Sequence, residues 1–304
     1  MSTRLVIGAG AVGGLLAQRL VERGDDVRLA TRSGTALRGT TPVRLDVKDA
    51  DAVTRAAGGA HTVFLCTNPP YPAWAAEWPP AFESVIAAGE RTGADVVVMG
   101  NVYAYGAVDD PMREGDPLAA TEPKGRIRAD GWRRLKAAHD GGRLRVAEVR
   151  ASDYFGPDAG KSAHLGSRFF EPLLAGRTAR VVGDPTLEHS WAYLPDIVRT
   201  LVAAADHAGE WGRAWHPPHS SSLPRTTIAA QVKERFGGND SVRPYPRPLM
   251  ATLARFAPDI REVMRMEYQF TRPFLVDSTE TERLLGVRAT PWDEALAATG
   301  ASYR

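Results

Sequence analysis

The segment Gly8-Ala9-Gly10-Ala11-Val12-Gly13 constrains this chain more than any other part of it. It follows the apolar run Leu5-Val6-Ile7 and leads into Val12, Leu15, Leu16 and Leu20 at helical spacing, with Gly24 as a stop. A strand, a G-x-G-x-x-G turn and a helix in that order form the first unit of a dinucleotide-binding fold. Each residue has a physical task. Gly8 permits the tight turn, and Gly10 lets the backbone approach a pyrophosphate where a Cβ would collide. Gly13 allows close packing of helix on strand, and Ala11 and Val12 open a helix whose unpaired N–H groups attract phosphate.

The rhythm that follows agrees with that start. Residues 26–30 read as a second strand, and Val43, Leu45 and Val47 alternate as a third. Residues 49–57 form a short helix closed by Gly58-Gly59. Strands are expected at 62–66, 95–99 and 144–149, and helices at 81–91 and 129–140. Alternating strands and helices predict an α/β fold, a Rossmann-type doubly wound parallel sheet whose strand C-termini share the ligand-binding edge. Beyond Arg150 proline becomes frequent and the rhythm loosens. Segments 179–182 (strand), 196–205, 229–236, 249–256, 260–270 and 279–285 (helices) read as a smaller C-terminal substrate-binding lobe. The expected division is 1–150 for the NAD(P)-binding unit and 151–304 for a lobe partly returning to the sheet.

The end of the second strand bears on which dinucleotide is bound. NAD selection usually needs an acid there for the ribose 2′-hydroxyl. The chain instead runs Val27-Arg28-Leu29-Ala30-Thr31-Arg32-Ser33, with no carboxylate at the expected place. Arg32 and Ser33 suit a 2′-phosphate, so NADP is favoured over NAD. Asp46 and Val47 flank the adenine or form a turn. Cys66, Thr67 and Asn68 end the fourth strand on the nicotinamide side, with Cys66 read as a small buried apolar residue.

Bulk properties exclude several classes. Lys+Arg 38 against Asp+Glu 36 gives a net charge of +2, without a block of like charge, so neither nucleic acid nor an anionic membrane is expected as a partner. One cysteine rules out an internal disulfide, and a cytoplasmic setting is expected. No signal-peptide pattern precedes residues 4–7, and no apolar run approaches the roughly 20 residues of a membrane helix. No metal-ligand spacing stands out.

Further motifs carry a resemblance. Asn101-Val102-Tyr103-Ala104-Tyr105-Gly106 is similar to a Ser-x-x-x-Tyr-Gly strand end. Arg150-Ala151-Ser152-Asp153-Tyr154-Phe155-Gly156-Pro157 is similar to Arg-x-x-Asn-x-Tyr-Gly-Pro, and Trp191-Ala192-Tyr193-Leu194-Pro195-Asp196 to Phe-x-Tyr-Val-x-Asp. With the glycine turn, these motifs make nearly the whole chain resemble the extended short-chain dehydrogenases/reductases, the NAD-dependent epimerase/dehydratase group. The resemblance implies a catalytic Ser and a Tyr-x-x-x-Lys. Here Asn101 stands for the Ser, Lys124 for the Tyr and Arg128 for the Lys. Arg128 can hold the nicotinamide ribose, but a guanidinium is a poor acid or base.

The expected catalytic set is therefore Asn101, Tyr103, Lys124 and Arg128. Asn101 donates to a carbonyl or caps a turn, Tyr103 is the preferred phenol, and Lys124 acts if desolvated but otherwise sits in a solvated loop. On the substrate side stand Tyr71, Asp153, Tyr154, Lys161, His164 and Trp191, with Trp74 as a further wall. His189 and His216 are read as more often structural than catalytic. Three readings follow: an NADP-dependent oxidoreductase of a small carbonyl or alcohol, a sugar-type epimerase or dehydratase with bound cofactor, and a non-catalytic NADP-binding sensor. A small-molecule substrate and a monomer or homodimer are expected.

Overall fold

The computed structural model describes residues 2–161 and 163–304. Six strands come from the first half: β1 (Thr3–Ile7), β2 (Asp26–Thr31), β3 (Thr40–Arg44), β4 (Thr62–Leu65), β5 (Asp95–Asn101) and β6 (Val146–Ala151). Six short ones follow: β7 (Tyr154–Phe155), β8 (Ala179–Val181), β9 (Trp191–Tyr193), β10 (Arg213–Trp215), β11 (His219–Ser221) and β12 (Val242–Pro244). The central sheet is parallel throughout, in the order β10-β6-β5-β4-β1-β2-β3. β10 thus returns from the second half to form an edge. The order reverses between β1 and β4, and that switch point is where doubly wound sheets open a crevice for ligand.

Helices cover both faces. α1 (Ala11–Glu22) and α6 (Leu194–Asp206) bury Leu16, Leu20, Ile197 and Leu201 against one. On the other, α2 (Ala50–Ala57), α3 (Trp74–Thr92) and α4 (Pro123–Asp140) bury Val53, Trp78, Phe82, Val85 and Leu135. Val97 and Val98 of β5 are fully buried on opposite faces, as expected of a strand covered on both sides. The remaining helices are α5 (Ser167–Leu174), α7 (Arg225–Phe236), α8 (Arg247–Leu253), α9 (Pro258–Arg265), α10 (Thr279–Leu285) and α11 (Trp292–Ser302). α5, α7, β8 and β9 share a separate aromatic core around Phe155, Phe169, Phe170 and Trp191.

Several boundaries differ from the sequence expectation for identifiable reasons. The third strand lies at Thr40–Arg44, earlier than the alternation at 43–47; Leu45 makes the last bond of the ladder, its N–H to Thr31 O at 3.0 Å, and lines the sheet's ligand edge. α3 starts seven residues before 81, through Pro79 and Pro80. Those prolines remove the amides that would bond to the carbonyls of Ala75 and Ala76, but both residues are exposed and water can serve those carbonyls. α4 begins at Pro123, not 129. Pro123 occupies the first turn, where its missing N–H costs nothing, and the Glu122 carboxylate accepts from Gly125 N at 2.7 Å. The stretch 260–270 is one α-helix to Arg265 and then a 3-10 turn at Glu267–Phe270. α5 and α11 were not expected. No helix among the described residues is long and apolar enough to cross a membrane.

Candidate functional site

A continuous cleft of about 1600 Å³ runs along the C-terminal edge of the sheet. It exceeds the roughly 300–1,000 Å³ usual for one small ligand, so it has room for a cofactor and a substrate together.

The cofactor end is made of backbone. Gly8, with φ +108, turns the chain at the end of β1, and a Cβ there would lie 2.8 Å from Thr67 N. A Cβ on Gly13 would lie 2.1 Å from Gly8 O, so helix and turn touch directly. A Cβ on Gly10 meets nothing within 4 Å; it projects from the helix start, and Gly8 to Val12 line the cleft. The N-terminus of α1 has no side-chain cap and no acid in its first turn, which leaves its amides for an anion. These residues fit a dinucleotide pyrophosphate.

At the end of β2, Thr31, Arg32, Ser33 and Thr35 line the cleft. Ser33 Oγ lies 3.3 Å from Thr31 Oγ1 and 2.8 Å from Thr35 Oγ1, a chain of hydroxyls beside an exposed Arg32 that has no ion-pair partner among the described residues. Asp46 and Val47 border the same end. Asp46 is also a turn residue, accepting from Lys48 N at 3.0 Å. Cys66, Thr67 and Asn68 lie across the switch point. Burial pushes the Cys66 thiol up to about 12, so it remains a protonated, apolar wall.

The candidate reacting end is made of side chains brought from distant elements. Tyr71, in the 3-10 turn Tyr71–Ala73, and Tyr103, in the turn Val102–Tyr105 after β5, place their hydroxyls 2.8 Å apart. Burial pushes the Tyr71 phenol up to about 12. Burial also holds Tyr103 well above the ordinary phenol value, and the neighbouring Tyr71 and Asp153 add to the effect. Both are acids that keep their protons at neutral pH. Asn101 caps the Tyr103 turn, its Oδ1 accepting from Tyr103 N at 3.2 Å. Its amide N–H groups make no hydrogen bond among the described residues, and Asn101 lines the cleft.

Arg128 lines the cleft floor with its guanidinium carbon 3.7 Å from the Trp78 ring centre and 4.8 Å from that of Trp74. Burial lowers it to about 10, which still leaves it charged at neutral pH, and its buried Nε has no hydrogen-bond partner. A cation held by aromatic faces and lacking a carboxylate suits a ligand's hydroxyl or carbonyl oxygens.

Lys124 departs from the expectation. It is neither a solvated loop residue nor part of the cleft wall. On the first turn of α4 it is 3% exposed and ion-paired to Glu262 of α9, with its ammonium 4.8 Å from the Tyr71 ring centre. Trp191 is the second correction: it is fully buried in the aromatic core, donates to Leu223 O at 2.9 Å and lines no part of the cleft. The cause is strand alternation, because β9 is buried along its whole length and its indole points away from the ligand edge.

Asp153, Tyr154, Lys161 and His164 all line the cleft. Burial pushes the Asp153 carboxyl up, but the neighbouring His164, His189 and Arg225 outweigh it and hold the group below its usual range. His189 Nε2 lies 2.9 Å from Asp153 Oδ2. Burial lowers His164, so the ring is neutral at pH 7. His216 lies away from the cleft. It bonds the Tyr105 hydroxyl at 2.8 Å, and burial brings it down to about 4, as befits a structural residue. No metal-ligating cluster occurs among the described residues.

The residues missed by sequence reasoning are Glu262 and the hairpin of α8 and α9, which gives Leu249, Met250, Leu253, Ile260 and Val263 to the cleft. A signal was present: the spacing 249, 250, 253 and 260, 263 marks two short apolar helix faces.

Comparison with known proteins gives the family and the fold. The profile of the NAD dependent epimerase/dehydratase family matches residues 4–216. The chain is 29% identical over 134 residues to the UDP-glucose 4-epimerase of Mycolicibacterium smegmatis. That match covers 42% of this chain and 41% of the relative, so it spans about two fifths of the relative's length. Among solved structures, MoeE5 in complex with UDP-glucose and NAD superposes with a TM-score of 0.81 at 20% identity, over 99% of this chain and 98% of that one. The Thermotoga maritima UDP-glucose 4-epimerase with UDP-glucose gives 0.79 at 16% identity, over 99% and 98%. The Streptomyces venezuelae dTDP-glucose 4,6-dehydratase with NAD bound gives 0.79 at 20%, over 100% and 97%. At these identities the structures establish a shared fold.

Proposed function

The chain belongs to the NAD dependent epimerase/dehydratase family, and from that premise we propose that it is a nicotinamide-dependent reductase of a carbonyl compound, using NADPH. The observation that carries the reading is the Tyr71–Tyr103 pair. It puts two protonated phenols, 2.8 Å apart, in the same cleft as the glycine turn, in a chain whose family position for the tyrosine holds a buried, ion-paired lysine.

The bound cofactor supplies a hydride to the carbonyl carbon. The protein's own groups do the rest. Asn101 donates an N–H to the carbonyl oxygen as negative charge develops there. Tyr103 passes its proton to that oxygen and takes one from Tyr71, which is replenished from solvent, so hydride plus proton convert carbonyl to alcohol. Arg128 holds oxygens of the ribose. Burial keeps both phenols protonated, so the resting site offers an acid and no phenolate base, which supports reduction over alcohol oxidation. The same point weighs against epimerisation, which needs a base first.

Arg32 and the hydroxyls of Thr31, Ser33 and Thr35 support NADPH, since an unpaired guanidinium among donors suits a 2′-phosphate. A paired titration with NADPH and NADH, followed by fluorescence, tests this. Tight NADPH and weak NADH binding is expected; equal affinity defeats the choice of NADPH, and no binding of either defeats the reductase. Substrate-dependent NADPH consumption then separates a reductase from a cofactor-binding sensor.

A further inference from the structure

All four exposed large apolar side chains among the described residues lie within twelve positions: Tyr245 (39% exposed), Leu249 (49%), Leu253 (39%) and Phe256 (84%). Three of them, all but Phe256, line the cleft. α8 has no buried residue at all, and Leu253 neighbours both Leu249 (four residues earlier) and Met250 (three earlier) on the side that lines the cleft. α9 adds Ile260 and Val263, both half-buried, to the same wall. Beside them Val181 and Val182 continue the surface, and Tyr245 is tied to it by its N–H to Val181 O at 2.8 Å.

This is an apolar face turned toward a ligand site and left wet in the free protein. It belongs to different elements from the glycine turn and Arg32, which line the same cleft, and its polar neighbours are Arg168 and Arg180. Contiguous exposed apolar surface in a concave site is covered by the apolar part of a ligand. The face also continues into the reacting end. Glu262, between Ile260 and Val263 on α9, is ion-paired to Lys124, whose ammonium lies over the Tyr71 ring. A molecule seated on the hairpin therefore extends toward the phenol pair.

We infer that the substrate carries its carbonyl on an apolar chain or ring system that lies along the α8–α9 hairpin, in place of a sugar nucleotide. The inference rests on the proposed reductase reading for the carbonyl, but the apolar site can be tested without turnover.

The probe is 1-anilinonaphthalene-8-sulfonate, an aromatic anion that the nearby Arg180 tolerates. Its fluorescence is titrated with the full chain and with the double variant L249D/L253D, with 2-decanone and UDP-glucose as competitors and NADPH titrated in parallel. The expected result is probe affinity at least tenfold weaker in the variant, NADPH affinity unchanged, and displacement by 2-decanone but not by UDP-glucose. Equal probe affinity in the two proteins overturns the inference, as does displacement by UDP-glucose alone. So does sedimentation in which the wild type is a dimer and the variant a monomer, since a second copy then covers the face. If the aspartates prevent folding, L249S/L253S serves the same comparison. If NADPH fails to bind while Leu249 and Leu253 still govern the probe and 2-decanone displaces it, the reductase reading falls and the apolar site stands.

Discussion

The two ends of the cleft are built from different materials. At the cofactor end the working groups are backbone: a glycine at positive φ, a helix start without a cap, and a glycine whose absent Cβ leaves room for phosphate. Those groups fall within six consecutive residues. At the proposed reacting end the groups are side chains, Tyr71, Asn101, Tyr103 and Arg128, with the Lys124–Glu262 pair behind the Tyr71 ring. A backbone site tolerates little change in residue size. A side-chain site tolerates rearrangement, because a phenol from one loop can do what a phenol from a helix does elsewhere, provided its oxygen reaches the same place.

The sharpest way to break this contrast is at the phenol pair. Y103F should lower kcat by about 100-fold or more, the usual worth of a positioned acid, while NADPH affinity is unchanged. A kcat within a few-fold of wild type would move the proton donor elsewhere. At the brace, K124M should cost about 1–3 kcal/mol by removing one of the two cations on the Glu262 carboxylate, whose Oε1 keeps Arg265 at 2.7 Å, and K124M/E262L should recover most of that loss. Denaturant melts of the three proteins measure it. If the double variant is no better than the single, Lys124 has a role beyond the pair.

At the backbone end, two glycines only three positions apart should behave oppositely. G13A should destabilise the fold by about 1–3 kcal/mol through overpacking against Gly8 O. G10V should cost the fold only about 1 kcal/mol, for a valine at the N-cap of α1, yet lose cofactor affinity, since its side chain enters open cleft. R32D should weaken NADPH by about 10–100-fold, the worth of a charge-assisted hydrogen bond, with little change for NADH. The smallest effect is on pH. Because Tyr71 and Tyr103 are both raised, the acid form persists, and the reduction rate should stay level from about pH 6 to about pH 10 before falling. A fall centred near pH 7 would point to a histidine instead.

The same contrast explains what could be read in the sequence. The alternation of strands and helices, the parallel doubly wound sheet and the phosphate turn follow from local pattern, because a βα unit encodes its own geometry within about 30 residues. Tyr103 and Arg128 were legible through family motifs, whereas the Tyr71–Tyr103 contact was not, since nothing local measures the distance between two loops. Lys124 was misjudged because its burial comes from Glu262, 138 positions later. Its helix was hidden by Gly125, which reads as a breaker. In the fold that glycine is required, because a Cβ would lie 2.3 Å from Tyr103 O, and its absence lets α4 approach the loop that bears the phenol. Pro79-Pro80 concealed the start of α3 in the same way. Trp191 looked like a cavity wall only because the alternation of a three-residue strand carries too little pattern to assign its faces.

The return of β10 to the sheet edge beside β6 has a consequence for biosynthesis. As the chain leaves the ribosome, the first six strands are available once residue 151 has emerged, but their neighbour at Arg213–Trp215 arrives some sixty residues later. Until then β6, a strand buried along its whole length in the finished protein, stands as a bare edge. The nascent chain therefore passes through an interval in which it is most open to capture by a chaperone or by another unfinished copy of itself.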